Sequence, residues 1–255
     1  SSVWVSISLT PVMISRHTSA SEDLPPMFAR MTPRGTHLPD RPSPTVPPRP
    51  SLIDRLCNDG QMHADRDRWD ERWAAAGVEP NHVAPIAPDV IDAHPELLDR
   101  LPTEGAALDV ACGIGAQSLW MASRGLTVSA LDVSPVAIDI ATRSAEQLRL
   151  GVDASVWDTG VGLPDELDGL AMIICQRYRA SELYLEFVQR LRPGGILVLT
   201  VLSAVGLEGV PGPFHAPSGE LTNAYRAAST DGVVDVLVDD EGNGQASIVI
   251  CRSTV

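Results

Sequence analysis

From Ala107 to Asp132 the chain reads ALDVACGIGAQSLWMASRGLTVSALD. Leu108, Val110 and Ala111 make a short apolar run suited to a buried parallel strand. Gly113 and Gly115 free the backbone to turn and let a ligand approach with no Cβ in the way. Leu119, Trp120 and Met121 recur at helical spacing between Gln117 and Arg124, and Gly125 closes that helix. Leu126, Val128, Ala130 and Leu131 form a second apolar strand that ends in Asp132. Ser134 as N-cap and Pro135 at the first helical position open a helix that runs to Leu150. Ala154 to Trp157, Leu170 to Cys175 and Ile196 to Val201 read as strands three, four and five, with a short helix from Ser181 to Leu191. Gly219 to Ala228 reads as a helix. Val233 to Val238 and Ala246 to Cys251, around Asp240-Glu241-Gly242-Asn243-Gly244, read as an antiparallel hairpin. Ahead of the first strand, His63 to Ala76 predicts a helix carrying Trp69, Asp70, Glu71, Arg72 and Trp73, and Pro88 to Leu101 predicts a second. The pattern is that of an α/β fold opened by a βαβ unit of the nucleotide-cofactor type.

The first sixty residues follow no such pattern. Pro25, Pro26, Pro33, Pro39, Pro42, Pro44, Pro47, Pro48 and Pro50 interrupt every periodicity. Such a segment buries too little apolar surface to offset its ordering entropy, so residues 1–60 are expected to be a disordered tail and residues 61–255 the folded domain. Met62 is a candidate natural start, which would make the preceding residues an extension. Val3 to Ile14 is too short and interrupted to span a membrane and lacks a basic leading region, so a cytoplasmic location is expected.

Charge narrows the chemistry. The 255 residues carry a net charge of −14, and all 19 basic residues are arginine. With no lysine, a Schiff base on the protein is excluded. An acidic surface repels phosphate backbones, so a nucleic-acid partner is not expected. Cys57, Cys112, Cys175 and Cys251 have no zinc-type spacing, and no metal is expected. Cys112 and Cys175, at the ends of strands one and four, are read as buried fillers or as a thiol pair beside the cofactor.

Two acids indicate what the glycine turn holds. A carboxylate at Asp132 can accept two hydrogen bonds from a ribose diol, each about 1.5–3 kcal/mol because the acceptor is charged. A dinucleotide turn favours a third small residue, usually glycine, where this chain has Ser118. Asp109 lies four residues before Gly113; a pyrophosphate gains nothing from it, whereas a ligand with an ammonium and a sulfonium does.

The run Asp109-Val-Ala-Cys-Gly113-Ile-Gly115 resembles motif I of the class I S-adenosylmethionine-dependent methyltransferases. Asp132 matches the ribose-binding acid of that family. Asp158, followed by Leu163-Pro164, resembles the acid that meets the adenine amino group, and Arg192-Pro193-Gly194-Gly195 resembles the turn entering strand five. The resemblance covers roughly Leu101 to Val201. It implies a Rossmann-like seven-stranded sheet of order 3-2-1-4-5-7-6, the last strand antiparallel, with helices on both faces. S-adenosylmethionine is the implied cofactor, contacted by Asp109, Ala111, Gly113, Gly115, Asp132, Val133, Asp158 and Gln176. Gln176-Arg177-Tyr178-Arg179, the short helix after it, Trp69 and Trp73 as a lid, and the segment Phe214 to Leu221 resemble the tellurite-resistance and thiopurine-type group. That group acts on small soft nucleophiles.

A methyl group on a sulfonium is already activated, so positioning rather than a catalytic triad is expected, worth about 7–11 kcal/mol of the barrier. Tyr178 orients the substrate or packs the end of strand four. His215 is a base at the substrate mouth or a surface residue. Arg177 holds an anionic substrate, a cofactor carboxylate or a structural ion pair. Trp69 and Trp73 form the lid or only anchor a helix. Asp109 alternatively caps backbone amides, Asp158 alternatively serves only its loop, and Trp157 stacks on the adenine or packs, packing being the preferred reading. The leading function is methyl transfer to a small molecule. The alternatives are a regulatory protein that binds the cofactor without turnover and a nicotinamide-dependent dehydrogenase. The sequence leaves the oligomeric state open.

Overall fold

A computed structural model describes residues 65–78 and 83–254. The tail over 1–60, Cys57 and Met62 lie outside the described residues. The first described element, helix α1, covers 65–75. A short helix α2 (Asp89–Ala93) and a single 3₁₀ turn (Pro95–Leu97) lead into strand β1 (Ala106–Val110). The chain then alternates through α3 (Ala116–Ser123), β2 (Thr127–Asp132), α4 (Pro135–Leu148), β3 (Val152–Val156) and β4 (Leu170–Gln176). It continues through α5 (Tyr184–Arg190), β5 (Leu191–Leu202), α6 (Glu220–Thr230), β6 (Val234–Gly242) and β7 (Gln245–Arg252).

The seven strands form one sheet of order β3-β2-β1-β4-β5-β7-β6. β7 runs antiparallel to both β5 and β6, and the other pairs are parallel. Both faces are covered. Leu108, Val110, Ile173, Cys175, Leu197 and Leu199 pack with Phe187 of α5 and Tyr225 of α6. Ala107, Val128, Met172, Ile174 and Val198 pack on the opposite face with Ile91 of α2 and Met121 of α3. Burial on both sides is why β1, β4 and β5 read as continuous apolar runs rather than alternating ones.

Local chemistry sets the boundaries. Ser134 caps α4, its Oγ accepting from the Ala137 amide at 3.1 Å, and Pro135 occupies the first turn. Asn243 and Gly244 both have positive φ, 52° and 78°, the conformation a two-residue hairpin turn requires. The helix expected from Pro88 to Leu101 is instead broken after Ala93. His94 precedes Pro95, whose ring disfavours a helical conformation before it and which has no amide to donate. β5 begins five residues before the expected Ile196. Leu191 pairs with Leu170, but the next pair is Ile196 with Met172, so Arg192 to Gly195 bulge out. A Cβ on Gly195 would lie 2.7 Å from the Leu170 carbonyl oxygen.

Candidate functional site

The strand order reverses between β1 and β4, and an open α/β sheet binds ligands outside the carboxyl ends of the strands at such a point. The chain leaves both strands through a non-glycine residue in the left-handed region, Ala111 (φ 54°) after β1 and Arg177 (φ 58°) after β4. Strain of this kind gathers where the surrounding structure over-determines a site. The turn after β1 is tied across the sheet. The Cys112 amide donates to the Leu131 carbonyl at 3.0 Å, and the Gly113 amide donates to Asp132 Oδ2 at 2.8 Å. Asp132 Oδ1 accepts from the Ser134 amide at 2.9 Å. Gly115 sits at φ 84° before α3, and a Cβ there would lie 2.8 Å from that of Ala141.

Asp109 is fully enclosed and accepts a 2.5 Å hydrogen bond from Ser118 Oγ. Ser118, which takes the place of the third glycine, therefore locks α3 onto β1. Burial pushes the Asp109 carboxyl up to about 7, against the Ser118 hydrogen bond and with help from the nearby Asp132 charge. Burial also raises Asp132, opposed by its backbone donors at Ser134 and Gly113. Ala111 and Val133 flank this pair and are half-buried.

The wall of the crevice continues past β3. The Trp157 amide donates to the Asp132 carbonyl at 2.8 Å, while the Trp157 ring nitrogen donates to the Gly162 carbonyl at 2.8 Å. Asp158 accepts from the Gly160 amide at 2.8 Å, capping one turn of 3₁₀ helix. Thr159 Oγ1 donates to the Tyr178 hydroxyl at 2.8 Å, joining the loop after β3 to the loop after β4. Burial pushes the Tyr178 phenol up to about 12. Beside it, Gln176 Oε1 at the end of β4 is buried without a hydrogen-bond partner.

Helix α1 reaches this crevice. Trp69 and Trp73 stack with ring centroids 6.4 Å apart. Trp73 lies against the glycine turn, so that a Cβ on Gly113 would come within 2.9 Å of its ring. Asp70, between the two tryptophans, accepts from Ser134 Oγ and, at 3.4 Å, from the Val136 amide. The Arg68 guanidinium stands 5.5 Å from the Trp69 ring centroid and 5.0 Å from that of Phe214 in the loop after β5. Sequence reasoning assigned no role to Asp70. The one signal for it was its place between two tryptophans spaced by a helical turn.

On the other side of the crevice, the arginines after β4 are paired. Arg177 donates to Asp89 at 2.7 Å, and Arg179 makes a forked pair with Glu220 at 2.9 and 2.6 Å. Glu220 also accepts from the Tyr184 hydroxyl at 2.9 Å, and the Arg179 contact holds its carboxyl below the usual range. His215 Nδ1 accepts from the Gly212 amide at 3.0 Å, which leaves the proton of the neutral ring on Nε2. Cys112 packs with Ala130 and Ile138, and Cys175 with Val110 on the opposite face of the sheet. Their sulfurs face the carbonyls of Gly113 and Tyr178, and burial raises both thiols above their ordinary range.

Residues 107–195 match a family model described as a methyltransferase domain. No curated protein sequence matches the chain. A structure solved in work on the conversion of a disulfide bond into a thioacetal group during echinomycin biosynthesis superposes with a TM-score of 0.54 at 19% identity, over 74% of this chain and 92% of that one. A geranyl diphosphate methyltransferase in complex with geranyl diphosphate and sinefungin gives 0.51 at 15% identity, over 76% and 99%. TehB from Haemophilus influenzae gives 0.50 at 19% identity, over 66% and 62%. At these identities the likeness establishes the fold. The family match covers residues 107–195, and with the strand order it gives this stretch the likeness of a methyltransferase domain on a Rossmann-like sheet.

Proposed function

We propose that the protein transfers the methyl group of S-adenosylmethionine to a small-molecule acceptor, and that the acceptor atom is a soft nucleophile: a thiol, selenium or tellurium species. The observation that carries the reading is Asp132. Its carboxylate is fastened to the glycine turn through the Gly113 amide and to the start of α4 through the Ser134 amide. Each oxygen accepts one backbone hydrogen bond and keeps a further lone pair, so a ribose diol finds two acceptors already oriented. The orphaned acceptor of Gln176 also fits a ligand laid across the ends of β1 and β4. Neighbours of the same fold that bind sinefungin and methylate geranyl diphosphate are consistent with a small-molecule acceptor.

The bound cofactor supplies an activated methyl on a sulfonium. The protein supplies position. Asp132 holds the ribose, Asp158 takes the adenine edge, and Trp69 and Trp73 keep water from the reacting centre. Catalysis then rests on alignment, on the order of 7–11 kcal/mol. The soft-nucleophile reading follows from the side chains at the acceptor end. The Tyr178 phenol is pushed up to about 12, and the Nδ1 lone pair of His215 is occupied. Neither is suited to deprotonate an alcohol at neutral pH, whereas a thiolate or selenide arrives ionised. Arg177 and Arg179 are engaged with Asp89 and Glu220, which disfavours a highly anionic acceptor. No helix among the described residues is long and apolar enough to cross a membrane, and we take the acceptor to be a dissolved metabolite in the cytoplasm.

Calorimetry with S-adenosylhomocysteine and with NADH tests the cofactor; binding of NADH alone would end the reading. A labelled-methyl assay against thiols, selenite, tellurite and phenols tests the acceptor. Transfer to phenols alone would remove the soft-nucleophile assignment. Binding without transfer to any acceptor would favour a regulatory cofactor-binding protein.

A further inference from the structure

The chain leaves the carboxyl end of β5 at Leu202 and enters α6 at Glu220. Between them it makes an excursion whose two ends are zipped together. The Ala216 amide donates to the Leu202 carbonyl at 2.7 Å and the Ala204 amide to the Ala216 carbonyl at 3.1 Å, so that Ser203 and Ala216 form a parallel bridge. A surface loop closed at its ends is an Ω-loop, a compact unit that frequently carries function. Val210 at its far side is 92% exposed and Phe214 54%. Apolar packing therefore contributes little at the tip, and the place of the loop is set at its base. Phe214 is the residue that meets α1, its ring centroid 5.0 Å from the Arg68 guanidinium.

The base is fastened from another element. The hairpin turn at Asn243-Gly244 takes the outgoing limb: the Ser203 amide donates to the Gly244 carbonyl and the Gly244 amide to the Val205 carbonyl, both at 2.8 Å. Glu241, on β6 just before that turn, reaches both limbs. Its Oε1 accepts from Ser203 Oγ at 2.6 Å on the outgoing side, and its Oε2 accepts from the Gly219 amide at 2.9 Å on the returning side. Ser218 Oγ adds a longer contact at 3.4 Å. Ser203 is fully buried, and its Oγ in turn accepts from the Val205 amide at 3.0 Å. Gly219 is the N-cap of α6 at φ 72°, so Glu241 also sets a carboxylate at the positive end of that helix. Both main partners are donors. A carboxylate offers an oxygen to each, whereas the amide of a glutamine offers one oxygen and a competing donor.

Resting on the methyl-transfer reading above, we propose that Glu241 is a positioning residue for the methyl acceptor: its carboxylate staples the two ends of the loop after β5 and so holds Phe214 against α1. Its hydrogen bonds go to Ser203, Ser218 and Gly219, so it acts through the loop. In the sheet order, β5 lies beyond β4 from the turn of β1 and from Asp132 of β2. The loop therefore walls the side of the crevice away from the donor, and the β6–β7 hairpin sets where that wall stands. The effect is one of population. If the fastened position falls to about a tenth of the molecules, an acceptor that requires it binds about tenfold more weakly, while the complex once formed reacts at the same rate. Donor binding, on the other strands, is untouched.

The test compares the full chain with Glu241→Gln, Glu241→Asp and the milder Ser203→Ala. Asp239→Asn serves as the control, since it removes a different contact of β6 with α6, that of Asp239 with Thr222 Oγ1 at 3.0 Å. Hydrogen exchange is followed over residues 203–219, and calorimetry with S-adenosylhomocysteine. KM and kcat are measured on the acceptor that the parent chain methylates among thiols, selenite, tellurite and phenols. Glu241→Gln is expected to speed exchange of the Ala204 and Ala216 amides severalfold and to raise the acceptor KM about tenfold, with kcat and S-adenosylhomocysteine binding held within about twofold. Glu241→Asp, which keeps both acceptor oxygens, recovers part of the loss. Ser203→Ala, which leaves the Gly219 contact, shows a smaller rise in KM, and Asp239→Asn shows none. Unchanged exchange in Glu241→Gln would mean that the loop holds itself, and would overturn the proposal. Faster exchange with an unchanged KM overturns it too, as does an equal loss of S-adenosylhomocysteine affinity, the mark of general loosening. A parent chain that methylates none of these acceptors would remove the methyl-transfer reading and this proposal with it, a result read on the unmodified protein and therefore distinct from the others.

Discussion

Ala111 stands in the turn after β1 with φ 54°, a conformation that costs an L-residue about 1–2 kcal/mol and glycine nothing comparable. Replacing Ala111 with Gly is expected to stabilise the protein by about 1 kcal/mol in urea unfolding, the relieved strain outweighing the added freedom of the unfolded chain. A loss of stability would show that the methyl group packs in a way the backbone geometry does not reveal. Two residues earlier, the enclosed Asp109 has its carboxyl raised from the ordinary range up to about 7, chiefly by desolvation. The sign follows from proton uptake. The folded state holds a proton that the unfolded state releases near pH 4, so this contribution to stability is complete below about pH 4 and lost as pH rises through 7. Asp109→Asn removes the titration, and its Tm between pH 4 and 7 should vary less than that of the parent chain; identical profiles would refute the assignment. Asp132→Ala removes the acceptors proposed for the ribose and a partner of the glycine turn. It is expected to weaken S-adenosylhomocysteine by about 1.5–3 kcal/mol in calorimetry.

Among the elements, α4 carries two tasks at its N-cap. Ser134 Oγ accepts from the Ala137 amide and donates to Asp70 of α1. Asp70 adds a carboxylate at the positive end of the helix dipole, so α1 docks where α4 is most receptive to negative charge. Ser134→Ala is expected to cost about 1 kcal/mol of stability through the lost cap. It should also shift the fluorescence of Trp69 and Trp73 to the red as α1 loosens from the Gly113 turn, and Ser134→Thr should restore both. A stability loss with unchanged emission would mean that Trp73 alone holds α1 in place. The arrangement bridges two loops, since α1 meets Gly113 through Trp73 and Phe214 through Arg68.

For the whole molecule, the net charge of −14 sets a repulsion that the fold has to tolerate. Raising the salt from about 10 to about 150 mM shortens the screening length from about 30 to about 8 Å. Tm at pH 7 should rise over that range, and a fall would mean that the ion pairs of Arg177 with Asp89 and Arg179 with Glu220 matter more than the repulsion. The same acidity has a local use at the sheet edge. β6 is an outer strand, and Asp235, Asp239 and Asp240 along it discourage pairing with another chain.

The sequence by itself determined the order and kind of most elements, because burial on both faces, glycine turns and N-caps leave their marks within a few residues. Ser134-Pro135 opened α4 and Asn243-Gly244 turned the hairpin, each through backbone preferences that act locally. It also located the acid-and-glycine turn, since Asp109, Gly113, Gly115 and Asp132 sit within one βαβ unit. The tertiary structure decided what depends on residues far apart in the chain. Asp70 meets Ser134 across 64 positions, and Arg179 meets Glu220 across 41. The strand order that brings Gln176 beside the β1 turn decided which polar atoms were left without partners. Periodicity records which face of an element is buried; it carries no record of what lies against that face.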